Sequence, residues 1–248
     1  MASVSETGHA KNIANFQDLI SFCQGYGANY NPAKESLKIP QLQALYQSAQ
    51  DKLNATKTQK TAFDYATNER RNAFKDLKPL STKIVNAFAV SGADALAQNN
   101  LKSINKKLQG STSGAKKTET TATSTTNPET TKTISTSQQS YDRLIDHFIN
   151  TIQVLEQNPV YAPNENNLQV DSLKDKLTEL QTKNTNLINT YTSYSNAMIE
   201  RNQILYNPLT GIIQTSKEVK QYIKSIFGAN SPQYKQVSGI EFKIRKGE

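Results

Sequence analysis

The chain of 248 residues has no tryptophan, a single cysteine and only two histidines. With Cys23 alone no internal disulfide forms, so nothing in the sequence demands an oxidising compartment. His9, His147 and Cys23 are too few for zinc sites of the Cys/His type and for Ser-His or Cys-His triads. The phosphate-loop pattern and the GxSxG nucleophile elbow are also missing. No apolar stretch approaches the roughly 18 residues that cross a bilayer, and the first residues lack the basic-then-apolar succession of a secretory signal. Together these absences predict a cytoplasmic, non-enzymatic protein with no cofactor and no transmembrane segment.

What is present is polar and basic. Hydrophobic residues make up 35% of the chain, low for a compact enzyme but suited to long helices with a narrow apolar stripe. Lys and Arg number 29 against 21 Asp and Glu, a net +8 that permits weak attraction to anionic polymers or surfaces. Basic side chains gather in two places: Lys102, Lys106 and Lys107, followed by Lys116 and Lys117, and then Lys235, Lys243, Arg245 and Lys246, interleaved with Tyr234 and Phe242. Both clusters are candidate anion-binding groups for a phosphate backbone.

The chain resembles itself. Tyr30, Pro32, Leu37, Ile39 and Leu42 stand 131 positions before Tyr161, Pro163, Leu168, Val170 and Leu173, and the same offset carries Glu69-Arg70 onto Glu200-Arg201. One residue further apart, Ile13, Phe16, Ile20 and Cys23 match Ile145, Phe148, Ile152 and Leu155. Five further apart, Gly92-Ala93 and Ile104 match Gly228-Ala229 and Ile240. The pattern predicts two diverged helical copies, residues 1–109 and 140–248. Between them, residues 110–139 are rich in Thr and Ser and read as a disordered, low-complexity linker.

Within each copy the periodicity is helical. Leu42, Tyr46, Ala49, Leu53, Thr56, Lys60, Phe63, Thr67, Arg70, Phe74 and Leu77 alternate steps of four and three. Leu173, Leu177, Leu180, Asn184, Leu187, Tyr191, Tyr194, Met198, Arg201, Leu205 and Pro208 repeat that frame. This is coiled-coil spacing with polar lapses. The expected fold is all-α: two tandem, coiled-coil-like helices forming an elongated bundle, each preceded by a short amphipathic helix. Pro79 and Pro208 are expected to kink these helices, Gly92 and Gly228 to cap them, and Asp94 and Ser231-Pro232 to start a final helix.

Arg70 and Arg201 occupy seam positions where apolar residues belong, so Glu69, Arg70, Glu200 and Arg201 are expected to form ion pairs that set register. Asp142, Asp146 and His147 lie close enough on one helix to suggest a metal site, but acidic residues in a first turn also complement the helix dipole. The Gly25-to-Tyr30 run follows a helix with no strand-turn-helix context and reads as a plain turn. The run from Phe227 to Lys243 resembles the ends of certain small bacterial helical proteins, which implies a bacterial origin and transfers no activity.

The function these features predict is that of a structural or interaction protein, a helical scaffold, spacer or adaptor with a protein partner or self-association. One rival is nucleic-acid association through the basic clusters. Another is a helical membrane-active or toxin component, for which the apolar patches at Ile84-Val85 and Ile212-Ile213 are short.

Overall fold

The computed structural model describes residues 7–110 and 139–244. The stretch read as a linker lies outside the described residues from 111 to 138. The described chain is helical, with no strands among the described residues. Its elements are α1 (Thr7–Gly25), α2 (Ile39–Phe74), α3 (Leu77–Ala89), α4 (Ala95–Gln109), α5 (Tyr141–Glu156), α6 (Val170–Tyr206), α7 (Ile212–Phe227) and α8 (Pro232–Ser238). Short 3₁₀ turns at Glu35–Leu37 and Asn166–Leu168 lead into α2 and α6.

The chain divides into two compact units, one of Met1–Tyr65 with Asn189–Glu248 and one of Ala66–Ile188. The division falls inside α2 and α6 and does not follow the sequence halves 1–109 and 140–248. Each unit takes helices from both halves.

In the first unit, Ile13, Phe16, Ile20 and Cys23 of α1 fall on one stripe because they repeat every three or four residues. The stripe packs with Leu42 and Leu53 of α2, Leu205 of α6, Val219 and Ile223 of α7 and Val237 of α8. The first part of α2 and the last part of α6 run antiparallel here. Lys52 Nζ meets Glu200 at 2.7 Å, the Thr56 hydroxyl donates to the Ala197 carbonyl at 3.1 Å, and Phe63 stacks on Tyr194. In the second unit, Leu144, Ile145, Phe148, Ile152 and Leu155 give α5 the equivalent stripe. It packs with Ile84 and Phe88 of α3, Leu101 and Leu108 of α4 and Leu173 and Leu180 of α6.

One local device occurs in both units. The buried Tyr30 hydroxyl donates to the Leu37 carbonyl at 2.8 Å, and the buried Tyr161 hydroxyl donates to the Leu168 carbonyl at 2.9 Å. Each bond fastens an extended loop to the 3₁₀ turn that starts the long helix, and it satisfies a carbonyl that burial would otherwise penalise.

The prolines stop the long helices rather than kinking them. Helix α2 ends at Phe74, and Pro79 falls in the first turn of α3, where its missing N–H needs no helical partner. Helix α6 ends at Tyr206. The Asn207 side chain then accepts from the N–H groups of Leu209 and Thr210, and Gly211 closes the turn by donating to the Asn207 carbonyl. A Cβ at Gly211 would lie 2.6 Å from the Asn207 nitrogen, so only glycine fits there. Three of the expected caps are present; the fourth, Gly92, is not the cap of α3, which ends on Val90, but stands two residues further on in the turn at φ 87°. Gly228 ends α7 at φ 91°, the Asp94 carboxylate accepts from Ala97 N–H at the start of α4, and the Ser231 hydroxyl accepts from Tyr234 N–H at the start of α8.

The seam is narrower than the heptad frame implies. In α6 Leu173, Leu180, Leu187, Tyr194 and Arg201, each seven residues after the last, are all buried, while Tyr191 and Pro208 are exposed. In α2 the buried positions pass from Leu42, Ala49 and Thr56 to Ala66 and Ala73, leaving Thr67 exposed.

Candidate functional site

The four seam charges do not pair with one another as a set. In the first unit Glu200 pairs with Lys52, and in the second Glu69 pairs with Lys183 at 3.2 Å. Arg70 donates from Nη1 to Asn184 Oδ1 at 3.1 Å and lies 3.9 Å over the Tyr141 ring. The Asn184 amide in turn donates to Asp142 at 2.7 Å. A polar lapse in the seam, Asn184, thus bridges the seam arginine to an acidic residue. Arg201 is 2% exposed and donates from Nε and Nη2 to Asn202 Oδ1.

Asp142 is committed to that chain of bonds, and Asp146 faces Arg143 at 3.7 Å. No three His, Cys, Asp or Glu side chains gather as a metal site among the described residues. His147 is buried and its Nε2 has no hydrogen-bond partner among the described residues. Burial, with the nearby Lys107 and Arg143 outweighing Asp146, pulls it below the ordinary histidine value. Cys23 is buried and free, and burial pushes its thiol up to about 12, far from a reactive thiolate.

Of the anion-binding candidates, Lys102, Lys106 and Lys107 stand exposed on α4 in the second unit. Lys235 and Lys243 belong to the first unit, and Arg245 and Lys246 lie outside the described residues. Lys243 is a structural residue through its backbone: Asn12 accepts from its N–H at 3.1 Å and donates to its carbonyl at 2.8 Å, while Asn15 donates to the Glu241 carbonyl at 2.6 Å. The ammonium of Lys220 donates to the Ser238 and Ile240 carbonyls. Side chains of α1 and α7 thus hold the extended tail by its main chain.

A broad concave surface lies in the second unit. Two adjoining clefts of about 650 and 670 Å³ share Lys83 and Asn167 and lie between α3 and the loop leading into α6. Charged groups of both signs line them: Asp76, Lys83 and Lys176 in the first, Lys83 and Glu165 in the second. Tyr161, Ala87 and Val90 supply apolar wall to the second. Neither cleft is lined by histidine or cysteine. Such a site offers shape, an aromatic face and two opposite charges, which suits binding.

The chain finds no match among protein-family models, curated proteins or solved structures. Its chemistry rests on its own geometry.

The clefts and the tail clamp were not foreseen from the sequence. The tyrosine latches had a signal: Tyr30 and Tyr161 stand at matched positions, each seven residues before a matched leucine, and a phenol calls for a hydroxyl partner when buried. The clamp had no comparable signal, since asparagines on an exposed-looking helix are common.

Proposed function

We propose that the protein is a non-enzymatic helical scaffold or adaptor, built from two diverged copies of one helical unit that pack on each other and present a surface to a protein partner. The observation that carries this reading is an exchange of ion pairs. Lys52 and Lys183 are 131 residues apart, as are Glu69 and Glu200, and the pairs formed are Lys52–Glu200 and Lys183–Glu69. That is the signature of an isologous contact, in which residue i of one copy meets j of the other and j meets i, as in a two-fold dimer fused into one chain. The matched Tyr30 and Tyr161 hydroxyl bonds support it. The apolar stripes of both copies are used up in the two cores, while Tyr191 and Ile199 remain exposed on α6 for contact with another protein.

Pull-down from the native source with the intact chain tests the role. A partner retained at stoichiometric amounts and competed off by untagged protein is expected; recovery of the bait alone, as a monomer, would contradict it. A second reading has its own support: Lys102, Lys106 and Lys107 are exposed on α4 with no ion pair among the described residues. Association with nucleic acid through them predicts a mobility shift that weakens steeply with salt. A shift unchanged when all three are replaced by glutamine would remove that reading.

A further inference from the structure

The two units solve the same packing problem differently beside their matched tyrosines. On α3 the buried positions Leu77, Ser81, Ile84 and Phe88 correspond in spacing to Ile212, Ser216, Val219 and Ile223 on α7. That register sets Ala87 against Tyr222 and Lys83 against Glu218. In the first unit the Tyr222 ring meets Tyr30 edge-on, with centroids 5.4 Å apart and planes at 85°. Its hydroxyl accepts from the Asn31 N–H at 3.3 Å, and beside it Lys34 pairs with Glu218 at 2.6 Å. A tyrosine side chain, one backbone donor and one ion pair thus cover Tyr30, and the smaller hollow of about 430 Å³ that remains is lined by Lys34, Leu37 and Tyr222 but not by Tyr30.

In the second unit the loop is the same and the filler is gone. Tyr161 stands for Tyr30, Ala162 for Asn31 and Glu165 for Lys34. Phe88 holds Tyr161 from the core side, with centroids 5.9 Å apart. Ala87 has no ring to put where Tyr222 puts one, and a cleft of about 670 Å³ opens there. The Ala162 N–H has no hydrogen-bond partner among the described residues, and neither Lys83 nor Glu165 has an ion pair among them. The charges of the filled site are present with their signs exchanged: Lys83 on the helix, Glu165 on the loop.

We propose that this cleft is a binding site for a tyrosine side chain of a partner polypeptide, which enters the space that Tyr222 occupies in the other unit. Its ring lies edge-on to Tyr161 against Ala87 and Val90. Its hydroxyl accepts from Ala162 N–H, and Lys83 and Glu165 flank the entrance. An edge-on aromatic pair and one hydrogen bond make a phenol preferable to an aliphatic side chain of similar size. The inference rests on the interaction-protein reading above and gives that reading a ligand chemistry.

The test uses the full-length protein, with amide and methyl NMR as readout and N-acetyl-tyrosinamide as probe, beside N-acetyl-leucinamide. Saturable shifts at Ala162 N–H and the Val90 methyls are expected with the tyrosine probe. Its affinity should fall by about tenfold or more in Ala87→Tyr, which fills the cleft as Tyr222 does and retains the parent's melting temperature or exceeds it. Tyr222→Ala should open a second saturable site, reported by Asn31 N–H. Equal response to the leucine probe, no saturable shift, or an unchanged response in Ala87→Tyr would each overturn the proposal. Pull-down of a partner that persists in Ala87→Tyr while the tyrosine probe fails to bind would discard the cleft and leave the scaffold reading standing.

Discussion

The two compact units share a loop, a tyrosine latch and a helix stripe, yet the latch tyrosine is covered in one and lines a cleft in the other. In the first, Tyr222 and the Lys34–Glu218 pair complete the packing around Tyr30. In the second, Ala87 leaves a cleft beside Tyr161, and an Arg70–Asn184–Asp142 network joins α2, α6 and α5. The first unit has Leu53 and Ala10 at the positions matching Asn184 and Asp142. The difference teaches that common architecture is held by the latches and stripes, while the positions around them are free to become either core or site. Residues that match between the units are therefore structural, and those that differ are the ones to examine for specificity.

That comparison makes testable statements, beginning with the strongest. Phe16 and Phe148 are matched and fully buried. Replacing either by alanine should cost about 3–5 kcal/mol, and urea denaturation of the two variants should give similar losses. A loss at one and tolerance at the other would break the equivalence. Tyr30→Phe and Tyr161→Phe each strand a buried carbonyl and should cost about 1–3 kcal/mol by the same measurement. Burial raises both phenols, Tyr161 to about 12, so neither tyrosine ionises below strongly alkaline pH, and spectrophotometric titration should show late-titrating phenols, one fewer in each of the two variants. Arg70→Met should lower stability by about 1–2 kcal/mol, because Asn184 and Asp142 lose their cationic end. If it stabilises the chain, the network is a burden rather than a support.

The smallest effect concerns pH and belongs to the second unit, where His147 matches Asn15 in the first. The folded His147 binds its proton less readily than an unfolded histidine at 6.5. Its neutral form is therefore fully accommodated above that value, and stability falls as pH drops through it toward the lower folded value. Melting temperatures between about pH 7.5 and 5.5 should decline less in His147→Asn than in the parent. An identical decline would show that other groups carry it.

Much of the fold was legible. The three-four spacing around Phe16, Phe148, Leu42 and Leu173 identifies buried faces because a helix returns to one side every 3.6 residues, and Asp94, Ser231 and Gly228 mark ends through backbone chemistry that is local. The break before Pro79 and at Pro208 was not legible as a break. Ile212, Val219, Tyr222 and Ile226 continue the apolar pattern past the proline, and periodicity does not register a turn that keeps phase. Nor could a single frame follow α2, whose buried side passes from Thr56 to Ala66 where the helix leaves one unit's packing for the other's. Arg70 and Arg201 were visible as misplaced charges, but their partners were not. Lys183, Asn184 and Asp142 become neighbours only through tertiary packing, and the cleft beside Tyr161 exists because of a side chain that Ala87 lacks.

The central claim is that the two copies clasp one another through exchanged contacts within one chain. Zero-length carbodiimide cross-linking of the monomer, read by peptide mass spectrometry, tests it directly, since Lys52 and Glu200 lie 2.7 Å apart and Lys183 and Glu69 3.2 Å apart. Both amide bonds, Lys52 to Glu200 and Lys183 to Glu69, are predicted to form within a single molecule. Their absence, or their appearance only between differently isotope-labelled molecules, would contradict the account.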